Sequence, residues 1–242
     1  EISIENFFYE DSKKILNNFN LKIDKNSMIG LVGGSGSGKT TIIDILLGLN
    51  PLMHGSIMID GKELNYKNFS QFRNNIGYVP QRVFLFDMSI KENIALGIDK
   101  ENIDLNLVDK VLDLTQLTSF VSGLPEGLDT IVGENGVKVS GGQLQRIGIA
   151  RALYYDPEII ILDEATSSLD NKTELNFMES IKKLKGKKTF LVSAHRLSTI
   201  EICDQVNFLE SGTIKASGTF QDLMVKSHDF RKLINKQDSE IN

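Results

Sequence analysis

Three short stretches of this 242-residue chain carry residue types that could do chemistry together. Gly33-Gly34-Ser35-Gly36-Ser37-Gly38-Lys39-Thr40 fits the pattern G-x-x-x-x-G-K-[ST]. In that pattern glycines let the backbone turn its N–H groups onto phosphates, the lysine meets the β and γ phosphates, and the Ser/Thr hydroxyl ligates Mg²⁺. The second stretch is the apolar run Ile159-Ile160-Ile161-Leu162, which ends in Asp163 and Glu164. Ligands of open α/β sheets gather at the carboxyl ends of strands. Asp163 there suits Mg²⁺ held through water, and Glu164 suits orienting and deprotonating an attacking water. Neighbouring side chains on a strand point to opposite sides, so the two carboxylates cannot share one role. Alone, such a strand end is also an ordinary solvated turn, and it is the glycine loop upstream that calls for an acidic metal partner; Asp60 is a weaker candidate. The third stretch is Ser140-Gly141-Gly142-Gln143, a capping serine followed by two glycines that expose N–H donors at the positive end of a helix. Read alone it is a helix start. A chain with one phosphate loop needs one phosphate cradle, so a second asks for an explanation.

The elements around these stretches suit the task. Met28–Val32 reads as a short buried strand and Thr40–Leu49 as a helix, so the glycine loop lies between strand and helix. Ser3–Tyr9 and Leu16–Ile23 alternate apolar and polar residues as an antiparallel hairpin does, joined by the polar Glu10–Lys14. Ile57–Ile59 runs to an Asp60-Gly61 turn, and Ile76–Val79 is a strand leading into Pro80 and Gln81. From Ser89 to Phe120 the apolar spacing is helical, and Leu124–Gly136 is a glycine-rich acidic loop. The helix opened by Ser140 extends to about Tyr154, before Asp156-Pro157. Beyond it, Glu158–Leu162, Thr173–Leu184 and Thr189–Val192 alternate strand, helix, strand, the order of a parallel α/β sheet.

Composition narrows the class. A net charge of −5 argues against a duplex nucleic-acid partner, which requires a basic stripe to displace counterions. The single cysteine, Cys203, cannot form an internal disulfide and reads as a small packing residue. Unbroken aliphatic runs stay far short of the roughly 18 residues of a membrane span, and no secretory signal is apparent. The chain opens on Glu1 rather than Met, as a segment of something longer does.

Val139 to Arg146 resembles the signature of ABC transporter nucleotide-binding domains, usually L-S-G-G-Q, and Asp163 follows Gln143 by 20 residues, as in that family. The resemblance covers nearly the whole chain. Tyr9 looks like the aromatic residue that stacks on adenine, with Phe7 and Phe8 as alternatives. Gln81 in Val79-Pro80-Gln81 looks like the Q-loop glutamine, Ser168-Leu169-Asp170 like the D-loop and His195 like the switch histidine. Gly133-Glu134-Asn135-Gly136 resembles the loop before the signature in exporters rather than importers. Val139, Thr40 and Ser168 stand where the family often has Leu, Ser and Ala, and none of these changes removes a required group.

The resemblance implies an α/β fold, a P-loop NTPase (RecA-like) core with an antiparallel β subdomain and an inserted α-helical subdomain. Residues 1–242 would form one nucleotide-binding domain, with the core over 1–81 and 156–242 and the helical part over about 82–155. ATP would be held by Tyr9, Gly33 to Gly38, Lys39, Thr40, Thr41 and Gln81, with Mg²⁺ on Thr40, Gln81 and Asp163, and Glu164 and His195 as catalytic residues. Ser140, Gly141, Gly142, Gln143 and Asp170 would serve the ATP of a second nucleotide-binding domain docked head to tail, which accounts for the second cradle. A transmembrane domain, fused N-terminally, would be driven by ATP hydrolysis to export or flip a substrate, with this domain at the cytoplasmic face of the membrane. Two other readings share the motifs: a chromosome or DNA-repair ATPase, against which the short Gln81–Ser140 interval argues, and an ATP-dependent clamp without turnover.

Overall fold

The computed structural model describes residues 1–9, 14–166, 169–194 and 196–241. Its strands are β1 (Ile2–Phe7), β2 (Leu16–Leu21), β3 (Met28–Val32), β4 (His54–Ile59), β5 (Lys62–Glu63), β6 (Ile76–Val79), β7 (Ile159–Asp163), β8 (Thr189–Ser193), β9 (Gln205–Glu210) and β10 (Thr213–Gly218). Its helices are α1 (Lys39–Leu47), α2 (Phe69–Arg73), α3 (Ile90–Ile94), α4 (Leu105–Leu114), α5 (Thr118–Ser122), α6 (Gly141–Tyr154), α7 (Asn171–Leu184), α8 (Leu197–Glu201), α9 (Phe220–Lys226) and α10 (His228–Ile241). They fall into two compact units, one of residues 1–75 with 186–242 and one of residues 76–185.

In the first unit, β3 lies between β8 and β9 and is parallel to both, while β10 returns antiparallel to β9. All five residues of β3 and of β8 are buried, which is why these segments read as continuous apolar runs rather than alternating ones. A second sheet runs β2-β1-β4-β5, antiparallel throughout. Here Ile2 and Ile4 are buried and Ser3 and Glu5 exposed, the alternation of a half-buried strand. Cys203 is buried, and its Sγ donates to the Thr199 carbonyl at 3.4 Å, so it packs as the sequence suggests.

The helix after the glycine loop starts one residue earlier and ends two residues sooner than its apolar pattern predicts. Gly48 ends it: its φ of 70° is left-handed, and a Cβ there would lie 2.3 Å from Cε1 of Phe69. The backbone N–H groups of Leu49 and Asn50 then fold back onto the Asp44 carbonyl at 2.9 and 3.4 Å. This places Asn50 Nδ2 3.0 Å from the hydroxyl of Tyr9, two residues past the end of β1.

In the second unit, β6 and β7 pair in parallel, with Ile76 opposite Ile159 and Val79 opposite Leu162. The region that reads as helical from Ser89 to Phe120 is α3, α4 and α5 with a 3₁₀ turn at Lys100–Asn102 between the first two. Ser89 begins α3 with a capping box, its hydroxyl accepting from the Glu92 N–H while the Glu92 carboxylate accepts from the Ser89 N–H. Asn93, fully buried, ties this region together. Its Oδ1 accepts from the Phe86 N–H at 2.9 Å and from Arg151 Nη2 at 3.0 Å, and its Nδ2 donates to the carbonyls of Phe86, Met88 and Ser89 at 3.0–3.3 Å. Arg151 of α6 also donates to the carbonyls of Asn93 and Phe84. Burial pushes its guanidinium below the usual arginine range, so these acceptors are what keep the charge tolerable.

A buried amide with this many partners cannot be deleted quietly. Asn93→Ala leaves the Phe86 N–H, three carbonyls and the Arg151 guanidinium short of a partner, and is expected to cost about 2–4 kcal/mol in urea unfolding. A shift within about 0.5 kcal/mol of the parent would mean that water takes over these bonds.

Candidate functional site

In the first unit, β3, the glycine loop and α1 bring together one group of candidate residues. Lys39 is only 6% exposed, and its Nζ donates to the Gly33 carbonyl at 2.8 Å and to the Gly34 carbonyl at 3.4 Å. Ser37 is buried as well, and its hydroxyl has no partner among the described residues. Gly34 and Gly36 line an open hollow, for a Cβ on either would meet no atom within 4 Å, and Gly36 has a φ of 72° that disfavours any other residue. Ser35 and Thr40 are exposed, so the Thr40 hydroxyl stands at the surface of the first turn of α1. An ammonium out of water, a buried hydroxyl donor, a glycine hollow and a helix N-terminus together fit a polyphosphate.

The three aromatic candidates differ in what each ring touches. Phe7 is buried. Phe8 lies 6.4 Å from the exposed His54 ring. Tyr9 is 42% exposed, packs edge-on to Phe7 at 5.1 Å, donates its hydroxyl to Thr41 Oγ1 at 3.3 Å and accepts from Asn50 Nδ2 at 3.0 Å. Tyr9 is therefore the ring attached to the phosphate-loop helix. Sequence reasoning missed Asn50: the only local signal was its place just after the Gly48 helix stop.

In the second unit, another group of candidate residues follows from strand register. Because Val79 pairs with Leu162, the residues two positions beyond each, Gln81 and Glu164, emerge at the same end of the parallel pair. Gln81 Nε2 donates to Glu164 Oε2 at 2.5 Å across 83 residues of sequence. Asp163 is 4% exposed, whereas Glu164 is half-buried with a left-handed φ of 50°. That turn gives the adjacent carboxylates different surroundings, as the alternation of a strand end requires. Such a conformation in a non-glycine residue costs energy and clusters at functional sites.

Ser140 caps α6 in a reciprocal box: its hydroxyl accepts from the Gln143 N–H at 3.3 Å, and Gln143 Oε1 accepts from the Ser140 N–H at 2.8 Å. Gly141 is exposed with no atom within 4 Å of a hypothetical Cβ, and for Gly142 only Leu169 Cδ2 comes near, at 3.8 Å. Packing among the described residues thus gives little reason for the two glycines. Arg146 braces the helix start, donating to the carbonyls of Gly142 at 3.3 Å and Gln116 at 2.7 Å. Burial lowers its proton affinity and the neighbouring Asp170 charge raises it. Asp170 caps α7 by accepting from the Thr173 N–H at 3.0 Å. His195 and Ser168 lie outside the described residues.

A buried strand leading through a glycine loop to a lysine-headed helix defines a nucleoside-triphosphate-binding domain. A sequence family described as ABC transporter matches residues 16–167. The chain belongs to the ABC transporter family and is an ATP-using ATPase domain of it. It is 44% identical over 224 residues to "ABC transporter B family member 2" of Dictyostelium discoideum, a match covering 93% of this chain and 16% of that protein. It is 41% identical over 230 residues to the "ATP-dependent lipid A-core flippase" of Idiomarina loihiensis, covering 95% of this chain and 39% of that protein. A solved structure described as "a bacterial Atm1-family ABC exporter with ATP bound" superposes with a TM-score of 0.91 at 33% identity, over 98% of this chain and 41% of that one. The chain therefore spans well under half the length of these relatives.

Among the described residues, no helix is long and apolar enough to cross a membrane.

The Asp170 cap has a pH signature. Hydrogen bonds from Thr173 hold its carboxyl below the usual aspartate range. A carboxyl with a depressed folded-state value contributes stability that is present above its unfolded value, about 3.9, and is lost as the pH falls through the folded value. Asp170→Asn keeps a competent helix cap but removes the charge, so its melting temperature should fall less than the parent's between about pH 5 and pH 2. Parallel acid limbs in a thermal melt series would show that the Asp170 charge contributes nothing.

Proposed function

We propose that this chain hydrolyses Mg-ATP and, coupled to a transmembrane domain, drives export or flipping of a substrate across a membrane. The observation that carries the catalytic part is the Gln81–Glu164 hydrogen bond, which puts a carboxylate base and a polar sensor on one spot from two strand ends. Gly33 to Gly38, Lys39, Thr40 and Thr41 hold the phosphates, and Tyr9 stacks on the base. Thr40, Gln81 and Asp163 are the residues for Mg²⁺, a cation that binds through few protein ligands and completes its shell with phosphate oxygens and water. Bound there, Mg²⁺ neutralises charge on the β and γ phosphates. Glu164 accepts the proton of the attacking water as its oxygen bonds to the γ phosphorus and the bond to the β–γ bridging oxygen breaks. Gln81 holds Glu164 until substrate draws it away, and the family resemblance gives His195 a catalytic role beside Glu164.

Ser140, Gly141, Gly142, Gln143 and Asp170 serve a second nucleotide-binding domain docked head to tail. The space over Gly141 and Gly142 supports this, since among the described residues only Leu169 Cδ2 comes within 4 Å of a Cβ placed on either, which suits an anion held by another copy. ATP then favours the closed pair by its differential affinity, and hydrolysis releases it. The lipid A-core flippases among the relatives support an amphipathic lipid as one class of substrate, carried by a transmembrane domain fused N-terminally, with this domain at the cytoplasmic face.

Glu164→Gln keeps the shape and removes the base, so hydrolysis should fall by about 10²- to 10⁴-fold while ATP binding persists. In the parent, turnover per molecule should rise with protein concentration as pairs form. Turnover independent of concentration would argue for a site complete in one chain, and absence of turnover at every concentration would favour the clamp.

A further inference from the structure

The Tyr9 ring is fixed in two ways that its proposed role does not require. Its hydroxyl donates to Thr41 Oγ1 at 3.3 Å and accepts from Asn50 Nδ2 at 3.0 Å, and its edge rests on Phe7 at 5.1 Å with the rings 88° apart. The two polar partners flank α1, Thr41 in its first turn and Asn50 just past the Gly48 stop. Exposed aromatic side chains normally sample several χ1 wells, and ordering one on binding costs about 0.5–1.5 kcal/mol. Here the ordering is done by folding. Because Thr41 accepts from Tyr9, its own hydroxyl hydrogen is directed elsewhere, and Lys39 in the same turn donates to the carbonyls of Gly33 and Gly34.

Building on the reading of Tyr9 as the base platform, we propose that Asn50 is a positioning residue which, with Thr41, clamps the Tyr9 hydroxyl and so presets the ring for the purine of the nucleotide. The clamp makes the base-reading ring and the phosphate-reading helix one hydrogen-bonded unit. Nucleotide binding to this chain then depends on Asn50 although Asn50 touches the ligand only through Tyr9. The contribution is confined to ligands with a base, because a bare polyphosphate makes no use of the ring.

The test measures the affinity of the 242-residue chain for ATP and for inorganic tripolyphosphate by calorimetry. Tyr9→Phe, which keeps the ring, and Asn50→Ala should each weaken ATP binding roughly 2- to 10-fold, the range that corresponds to ordering one side chain. The double variant should be no weaker than the worse single one, since both remove the same contact. Tripolyphosphate affinity should be unchanged in all three, and Tyr9→Ala should lose at least as much ATP affinity as Tyr9→Phe. If Tyr9→Ala binds ATP like the parent, the platform reading falls and the clamp with it. If Tyr9→Ala is weakened while Tyr9→Phe and Asn50→Ala are not, the platform stands and the clamp is overturned. Parallel losses for tripolyphosphate, or additive losses in the double variant, would also overturn it.

Discussion

A cation held out of water is the constraint around which the first unit is organised. The Lys39 ammonium is almost fully buried, and the carbonyls of Gly33 and Gly34 accept its hydrogens. A buried charge without such acceptors would be prohibitive, so the loop must curl tightly enough to bring its own backbone to the lysine that follows it. Only a glycine-rich segment curls in this way, and only a rigid frame can fix its ends. Strand β3, with a parallel neighbour on each side, fixes one end, and α1 with its Gly48 stop fixes the other.

The second unit meets a different demand, that of aiming carboxylates. Two adjacent acids at a strand end are useful only if their environments differ, and the left-handed turn at Glu164 separates them. Parallel register does the rest, because Val79 opposite Leu162 delivers Gln81 to the same place. In the same unit the buried Asn93 and Arg151 network holds the backbone from Phe84 to Ser89 against α6, beside the buried Leu85, Ile90 and Ile94. Polar side chains are needed there because irregular backbone leaves N–H and C=O groups that apolar side chains cannot satisfy.

Helix termini recur as a device. Ser89, Ser140 and Asp170 each cap a helix with a side-chain oxygen, and of the three Ser140 is the one followed by two glycines. Among the described residues a Cβ on Gly141 would meet no atom within 4 Å, and one on Gly142 would meet Leu169 Cδ2 at 3.8 Å.

Much of this was legible in the residues themselves. The glycine loop with its lysine, the apolar strand ending in Asp163 and Glu164, and the capped start at Ser140 follow from local chemistry, which a sequence states directly. Strand β3 and helix α6 occupy the residues that periodicity assigns to them, because a buried strand and a capped helix are decided by nearby residues. The short helix α2 escaped because it buries no residue and so leaves no apolar period to read. The meeting of Gln81 with Glu164 and the contacts of the Tyr9 hydroxyl with Thr41 and Asn50 belong to the tertiary structure alone. Each depends on which strands pair in which register, or on where a helix stops, and those are settled by packing between segments far apart in the chain.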